Sequence, residues 1–192
     1  RQMLFNYPDS RRCFPISPRM ERPNMPGAYG MVTSANSPSP YRGGLFGPDF
    51  EHSVFISEPV HNLIHREVLA PDGITFTSNR AKGEEKSEFL ASSDNWFRPT
   101  MTKTGPDGAL YVADMYRLVI EHPKWIPPGM QSRVNLREGS NRGRIWRVLP
   151  KGSKLRKTPR LDRMSTKTLV TALDSPNGWQ RDTIQRLLLA RG

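Results

Sequence analysis

The chain has 192 residues, 35% of them hydrophobic and 24% charged, which suits one globular domain or one and a part. It has no run of eighteen apolar residues to span a bilayer, and its single cysteine, Cys13, excludes an internal disulfide and C-x-x-C metal or haem motifs. The net charge of +11 does not indicate a nucleic-acid interface, because residues 151–170 hold seven Lys and Arg against one Asp and supply over half of it.

The first fifty residues are rich in Pro, Gly, Ser, Arg and Asn, with turn signals every few positions. This composition excludes a long helix and favours short strands between extended loops. The chain begins at Arg1 and ends directly after an apolar run, so we expect it to be a fragment of a longer protein.

Residues 52–150 are expected to form a series of short strands separated by turns of the types APDG, GPDG, IPPG and EGSNRG. The candidate strands are HSVFISE, GITFTSNR, EFLAS, PTMTKTG, ALYVADMYR and RGRIWRVLP. In the last of these, Ile145 and Val148 are predicted to be buried and Arg144 and Arg147 to face outward. This pattern indicates a mostly β fold of the sandwich, barrel or propeller type.

The segment EPVHNLIHRE places His61 and His65 four residues apart. On a helix the two imidazoles would share a face and could bind one metal ion, although Asn62 replaces the Glu of the H-E-x-x-H motif. On a strand they would lie roughly 13 Å apart, too far for one ion. The apolar residues around them fit either structure, so local periodicity leaves helix and strand open.

Two later segments gather polar side chains near strand ends. In SSDNWFRPT, Arg98 next to an aromatic residue could grip a carboxylate in a bidentate fork, or Arg98 and Asp94 could simply clasp a loop. In TGPDGALYVADMYR, Asp107 is expected to cap the PDG turn, while Asp114 ends the strand and Arg117 follows it.

The pattern changes after a basic linker at residues 151–163. Residues 164–192 are predicted to form two short amphipathic helices separated by SPNG, with Ser165 or Thr166 capping the first helix. One such αα-hairpin cannot bury its own apolar face, so neighbouring helical repeats are expected.

Three segments carry a family resemblance: FISEPVHNLIHREVL, the run from Glu84 to Pro128, and EGSNRGRIWRVLP. They resemble the planctomycete-type putative membrane-bound dehydrogenases, also called PVC-type haem-binding CxxCH proteins. These pair a propeller similar to glucose/sorbosone dehydrogenases with HEAT-like repeats and a cytochrome c domain. The resemblance implies that residues 1–150 are the closing blades of a β-propeller and that residues 164–192 are the first hairpin of the repeat array. It also favours a strand for His61 and His65.

The resemblance further implies an extracytoplasmic, periplasmic oxidoreductase, associated with the membrane through segments outside these residues. It would oxidise a sugar or alcohol and pass electrons to a c-type haem domain of the same full-length chain. Related sugar dehydrogenases bind PQQ and calcium, but no residue here is matched to those positions. A non-catalytic propeller scaffold attached to the cytochrome domain is the alternative.

Six residues are the candidates for a site on one propeller face. His61 and His65 would act as catalytic bases, because a neutral imidazole can take a proton from a substrate hydroxyl. Anionic groups or polar ligand atoms would be bound by the other four: Arg66, Arg98, Asp114 and Arg117.

Overall fold

The computed structural model describes residues 12–20, 29–154 and 156–192. Within them the strands are, in chain order, β1 (Asn36–Pro40), β2 (Ser53–Glu58), β3 (Leu63–Asp72), β4 (Thr75–Arg80), β5 (Leu90–Ala91), β6 (Pro99–Thr104), β7 (Leu110–Asp114) and β8 (Arg144–Val148). The helices are the short α1 (Pro128–Gln131) before β8, and α2 (Thr166–Thr171) and α3 (Gly178–Arg191) after it. The mostly β prediction is therefore confirmed, with a helical C-terminal part.

The first sheet has the antiparallel order β1-β2-β3-β4. Strand β3 is long enough for its free edge to pair with β5 near Leu63 and with β4 farther along. The connection from β2 to β3 is a tight turn at Pro59–His61, closed by Asn62 in the left-handed conformation at φ 57°. Asn tolerates that conformation better than most residues do, which explains why the chain reverses here.

The second sheet has the antiparallel order β6-β7-β8. Residues Pro106, Asp107 and Gly108 form the turn between β6 and β7, with Gly108 at φ 89°. Asp107 is buried, and its Oδ1 accepts a hydrogen bond of 3.2 Å from the backbone N–H of Ala109, as the sequence predicts for a turn cap. The other PDG segment folds differently, because Pro71 and Asp72 belong to β3 and the reversal occurs at Gly73.

One apolar core lies between the sheets, where β6 runs beside β1 and β2. Its buried members are Tyr41, Phe55, Ile64, Phe97, Leu110 and Val112. Burying a large apolar side chain contributes roughly 1.5–3 kcal/mol, so the burial of these six residues stabilises the β region. The Tyr41 hydroxyl is satisfied inside the core, since it donates to the Gly108 carbonyl at 2.7 Å.

A close backbone approach holds the segment after β1 against the PDG turn. A Cβ atom on Gly43 would lie only 2.3 Å from the Gly108 carbonyl oxygen. Only glycine leaves room for that contact, which brings the two segments together beneath the helices.

The two C-terminal helices form the predicted hairpin around a second apolar cluster. Ser165 caps α2 by accepting a hydrogen bond from the Thr168 N–H at 3.2 Å. Leu161, Leu169 and Ile184 are buried there. The hairpin also rests on the β region through Asn177, whose side-chain amide donates to the Gly105 and Pro106 carbonyls at 3.0 Å each.

One predicted burial is wrong. Ile145 is 77% exposed, because it lies opposite Ala113 on the face of the second sheet that points away from the core. Val148 lies opposite Leu110 and packs against the core, as predicted. Successive strand residues alternate faces, so positions 145 and 148 cannot both point inward.

The described residues form two open sheets and no closed barrel or propeller. Among the same residues, no helix is both long and apolar enough to cross a membrane.

Candidate functional site

The six candidate residues do not lie on one common face: four of them belong to two separate polar groups, and His61 and Arg66 have partners of their own. Three of them meet where β7 ends and β8 begins: Arg98, Asp114 and Arg117. His65 and Arg66 are consecutive residues of β3 and therefore point to opposite sides of the first sheet. His61 lies in the turn before that strand, which corrects the prediction that a single strand carries both histidines.

The first group we call the strand-end cluster. It consists of Asp94, Trp96, Arg98, Asp114, Tyr116, Arg117, Arg144 and Trp146.

Asp114 is the centre of this cluster and is only 3% exposed. Its Oδ1 accepts from the backbone N–H groups of Arg98 and Tyr116, at 2.8 Å and 2.9 Å. Its Oδ2 accepts from Arg144 Nε at 2.8 Å and from Trp146 Nε1 at 3.0 Å. One carboxylate thus joins the ends of three strands, and its oxygens are already occupied by the protein.

Arg98 is also buried, at 2% exposure, and it binds backbone carbonyls. Its Nε donates to the Arg117 carbonyl at 2.8 Å and its Nη2 to the Leu118 carbonyl at 2.6 Å. Its Nη1 donates to the carbonyls of Pro59 and Val60, at 2.8 Å and 3.2 Å. The guanidinium therefore ties the loop after β7 to the turn between β2 and β3.

An aromatic and cationic surface covers these buried groups. The Arg144 guanidinium lies 3.7 Å from the Tyr116 ring centre and 4.8 Å from that of Trp146. Trp96 packs against Tyr116 with ring centres 5.3 Å apart. Cation–π contacts of this kind fix the orientation of both partners. Trp146 remains 44% exposed and so presents part of its indole to solvent.

Asp94 pairs with Arg144, a partner that the sequence does not indicate. The distance from Arg144 Nη2 to Asp94 Oδ2 is 3.6 Å. The other carboxylate oxygen accepts from the Trp96 N–H at 2.9 Å. The Asp94 side chain stays 41% exposed, so it can still accept hydrogen bonds from outside.

Arg117 is the one predicted cation whose guanidinium keeps no partner among the described residues. Its backbone N–H donates to the Trp96 carbonyl at 3.0 Å, which fixes its position beside the rings. Gly139, at φ 81°, lies over this point, because a Cβ there would be 2.6 Å from the Tyr116 carbonyl and 3.6 Å from Arg117 Cδ.

The second group is a buried histidine–carboxylate cluster around His65. Its Nδ1 lies 2.8 Å from Glu88 Oε2, and its Nε2 lies 2.6 Å from Glu67 Oε1. Glu88 also accepts from Arg80 Nη2 at 2.9 Å and from the Phe14 N–H at 2.9 Å. These bonds attach the segment after Arg12 to the first sheet.

The charges in this cluster shift pKa values in opposite directions. Burial alone would lower the pKa of His65, but hydrogen bonds to Glu67 and Glu88 outweigh burial and raise it above 6.5. Burial alone would raise the pKa of Glu88, but hydrogen bonds from His65 and Arg80 lower it below 4.5. The two carboxylates therefore favour the imidazolium form of His65.

His61 and Arg66 are equally committed to internal partners. His61 Nε2 accepts from the Gly30 N–H at 3.1 Å, and its Nδ1 lies 3.4 Å from the buried carboxylate of Glu58. Arg66 donates to Ser53 Oγ at 3.0 Å and to Glu84 Oε1 at 3.0 Å. Its guanidinium also stacks on the ring of Phe50 at 3.8 Å.

A cleft of about 590 Å³ lies beside the histidine–carboxylate cluster. Its lining includes Cys13, Tyr29, Lys86 and Glu88. Burial, together with the negative charges of Glu58 and Glu88, raises the pKa of Cys13 to about 12. This thiol is therefore protonated and unreactive at neutral pH.

Sequence reasoning missed several residues of both groups. Glu67 could have been found, since it lies two positions after His65 and shares its strand face. No local pattern indicates the roles of the others, because their partners lie in segments distant in sequence: Glu88, Tyr116 and Arg144. Among the described residues, no group of three or more His, Cys, Asp or Glu side chains is placed to hold a metal ion.

Comparison with protein families places these features in a family without an assigned activity. Residues 1–152 match the model of the domain of unknown function DUF7133, and the chain belongs to that family. This assignment neither supports nor contradicts the resemblance to the dehydrogenases. No curated protein and no solved structure gives a significant match.

Proposed function

We propose that this chain is the closing part of a β-propeller and the first hairpin of a helical repeat array in a haem-linked sugar or alcohol oxidoreductase. Within that protein it serves as framework and ligand-facing surface, and the catalytic centre lies elsewhere. Two successive antiparallel sheets followed by a helical hairpin support this architecture. The resemblance of residues 84–128 to the dehydrogenase family supports the redox context, with c-type haem, PQQ and calcium as the groups it would use.

The observation that carries the framework role is that the predicted catalytic groups are already bound within the protein. A general base needs a free lone pair within reach of the substrate proton. Both ring nitrogens of His65 face carboxylates, and His61 Nε2 accepts from the Gly30 N–H. The hydrogen bonds that raise the pKa of His65 favour its imidazolium form, which has no lone pair to offer.

The same reasoning applies to Arg98. All the acceptors described above for its guanidinium are backbone carbonyls of two loops. Gripping a cofactor carboxylate would require breaking those bonds inside a buried site, at a cost of about 1–3 kcal/mol for each group left unsatisfied. Arg98 therefore supports the loops that face a ligand and does not itself bind the ligand.

Dye-linked oxidation of a panel of sugars and alcohols by the full-length protein tests this function. We expect turnover in the wild type, and His65→Gln to lower stability while keeping turnover per folded molecule within about twofold. The matched control is His122→Gln, since His122 is exposed.

Two outcomes would count against the proposal. If His65→Gln abolished turnover while leaving the unfolding midpoint unchanged, His65 would be catalytic and not structural. If the wild type oxidised no substrate in the panel, the non-catalytic binding scaffold would be the better description.

A further inference from the structure

We propose that the exposed side of the strand-end cluster binds an acidic saccharide, with Arg117 pairing to its carboxylate and Trp146 packing against its ring. This inference concerns binding alone and does not depend on the redox chemistry proposed above. It rests on which groups of the cluster are free and which are occupied.

The cluster has a rigid base and an open surface. Asp114 and Arg98 are buried and occupied, so they fix the backbone of residues 114–118. Tyr116 adopts φ 52°, a conformation that a bulky residue rarely takes without a specific reason. The hydrogen bond from its N–H to Asp114 maintains this conformation and turns the ring toward Arg144.

The open groups of the cluster offer three kinds of contact. Trp146 offers a partly exposed indole, and Asp94 offers a half-exposed carboxylate. Arg117 offers a guanidinium with no ion pair among the described residues, held beside Trp96 by its backbone. Sugar rings present C–H bonds to the electron-rich faces of aromatic rings, and their hydroxyls donate to carboxylates.

The charge around these groups selects an acidic ligand. The loop that lies over Tyr116 at Gly139 carries two exposed cations, Arg137 and Arg142, against one exposed anion, Glu138, so its net charge is positive. A fork-shaped guanidinium matches a carboxylate in bidentate geometry. The uronic acid class of sugars combines a carboxylate, several hydroxyls and an apolar ring face, and so matches all three contacts.

Nucleic acid is the other polyanion that aromatic and cationic surfaces bind. The exposed carboxylate of Asp94 argues against it, because a carboxylate on this surface repels a phosphodiester chain. A saccharide hydroxyl, in contrast, can donate directly to that carboxylate.

Isothermal titration of the full chain with an oligogalacturonate of defined length tests the proposal. We expect binding that Arg117→Gln weakens at least tenfold, since this side chain supports no described contact and its loss should leave the fold intact. The control is Arg186→Gln on α3, an equal change in charge at another exposed arginine, which should not alter the affinity. A neutral maltooligosaccharide of equal length should bind at least tenfold more weakly.

Trp146→Phe provides a second readout. The phenyl ring retains part of the stacking surface, so affinity should fall less than for Trp146→Leu. An unfolding curve for each variant separates a loss of binding from a loss of folding.

Several results would overturn the inference. Arg117→Gln and wild type could bind equally, the neutral saccharide could match the acidic one, or no binding could be seen. A single-stranded oligonucleotide that bound more tightly than the oligogalacturonate, and lost affinity in Arg117→Gln, would make the surface a nucleic-acid site instead.

Discussion

Asp114 and Arg144 lie directly opposite each other on β7 and β8, and Arg144 Nε donates to Asp114 Oδ2 across the pair at 2.8 Å. The carboxylate accepts four hydrogen bonds in total from donors on both sides of the strand end. A cross-strand ion pair with a buried acceptor specifies the register of an edge strand more strongly than a surface pair would.

Asp114→Asn should destabilise the protein by about 1–3 kcal/mol, because the new amide NH₂ must face groups that are themselves donors. Denaturant unfolding measures the change. Asp174→Asn, at an exposed position of the helical part, is the control and should stay within about 0.5 kcal/mol of wild type. Equal stability of Asp114→Asn and wild type would contradict the role assigned to this carboxylate.

Arg98→Lys should lower the free energy of unfolding by more than about 2 kcal/mol even though the charge is kept, because buried carbonyls lose their donors. A lysine ammonium cannot reach four carbonyls in two separate loops as the planar guanidinium does. Amide hydrogen exchange should also become faster at residues 115–118. The exposed Arg133→Lys serves as control, and unchanged exchange in Arg98→Lys would show that the loops do not depend on this residue.

The histidine–carboxylate cluster predicts a pH window of maximal stability. The raised pKa of His65 means that its contribution is complete below pH 6.5 and is lost as pH rises through the folded value. The lowered pKa of Glu88 means that its contribution is present above pH 4.5 and is lost as pH falls through its folded value. The pair should therefore stabilise the fold most between about pH 4.5 and 6.5.

Unfolding free energies measured from pH 4 to 9 check this window. Wild type should lose stability between pH 6.5 and 9, and His65→Gln should lose less over the same range, because it has no proton to release. Parallel pH profiles for the two proteins would mean that His65 is not protonated in the folded state.

Asn177 connects the helical hairpin to the β region, so its substitution tests how strongly the two are attached. Its Oδ1 caps α3 through the Trp179 N–H at 2.9 Å, and its Nδ2 donates to the PDG turn. Asn177→Asp keeps the cap but places a carboxylate oxygen against two carbonyls, so it should cost about 1–3 kcal/mol. Asn141→Asp, in an exposed loop, should have little effect. If Asn177→Asp left the free energy of unfolding unchanged, the attachment would depend on other contacts.

Local patterns in the sequence predict much of the fold. Alternation in ALYVADMYR and helical spacing around Leu169 and Ile184 place β7 and the hairpin correctly, because burial there follows the periodicity of one element. The turn at Asn62 is not predictable in this way. It depends on one residue adopting the left-handed conformation inside a segment whose apolar pattern is continuous.

The candidate site is predicted less well than the fold. The sequence is interpreted as placing all six candidates on one face, and the structure brings together only three of them: Arg98, Asp114 and Arg117. The sequence does not show that Asp94 pairs with Arg144, since the two are fifty positions apart and meet only through the pairing of β6 with β7 and of β7 with β8. Polar residues that find their partners across sheets are visible only once the register is known.

The contact between Asn177 and the PDG turn also bears on how this architecture can be altered. The position of the helices is set by bonds from residues 177–182 to Arg42, Gly105 and Pro106, and by Leu161, at the end of the linker, which is buried against the helices. Gly152, in that linker, is exposed with nothing around it. A few residues inserted after Gly152 should therefore not change the position of the helices. Homologous chains can thus differ in length at this point of the linker without moving the helices.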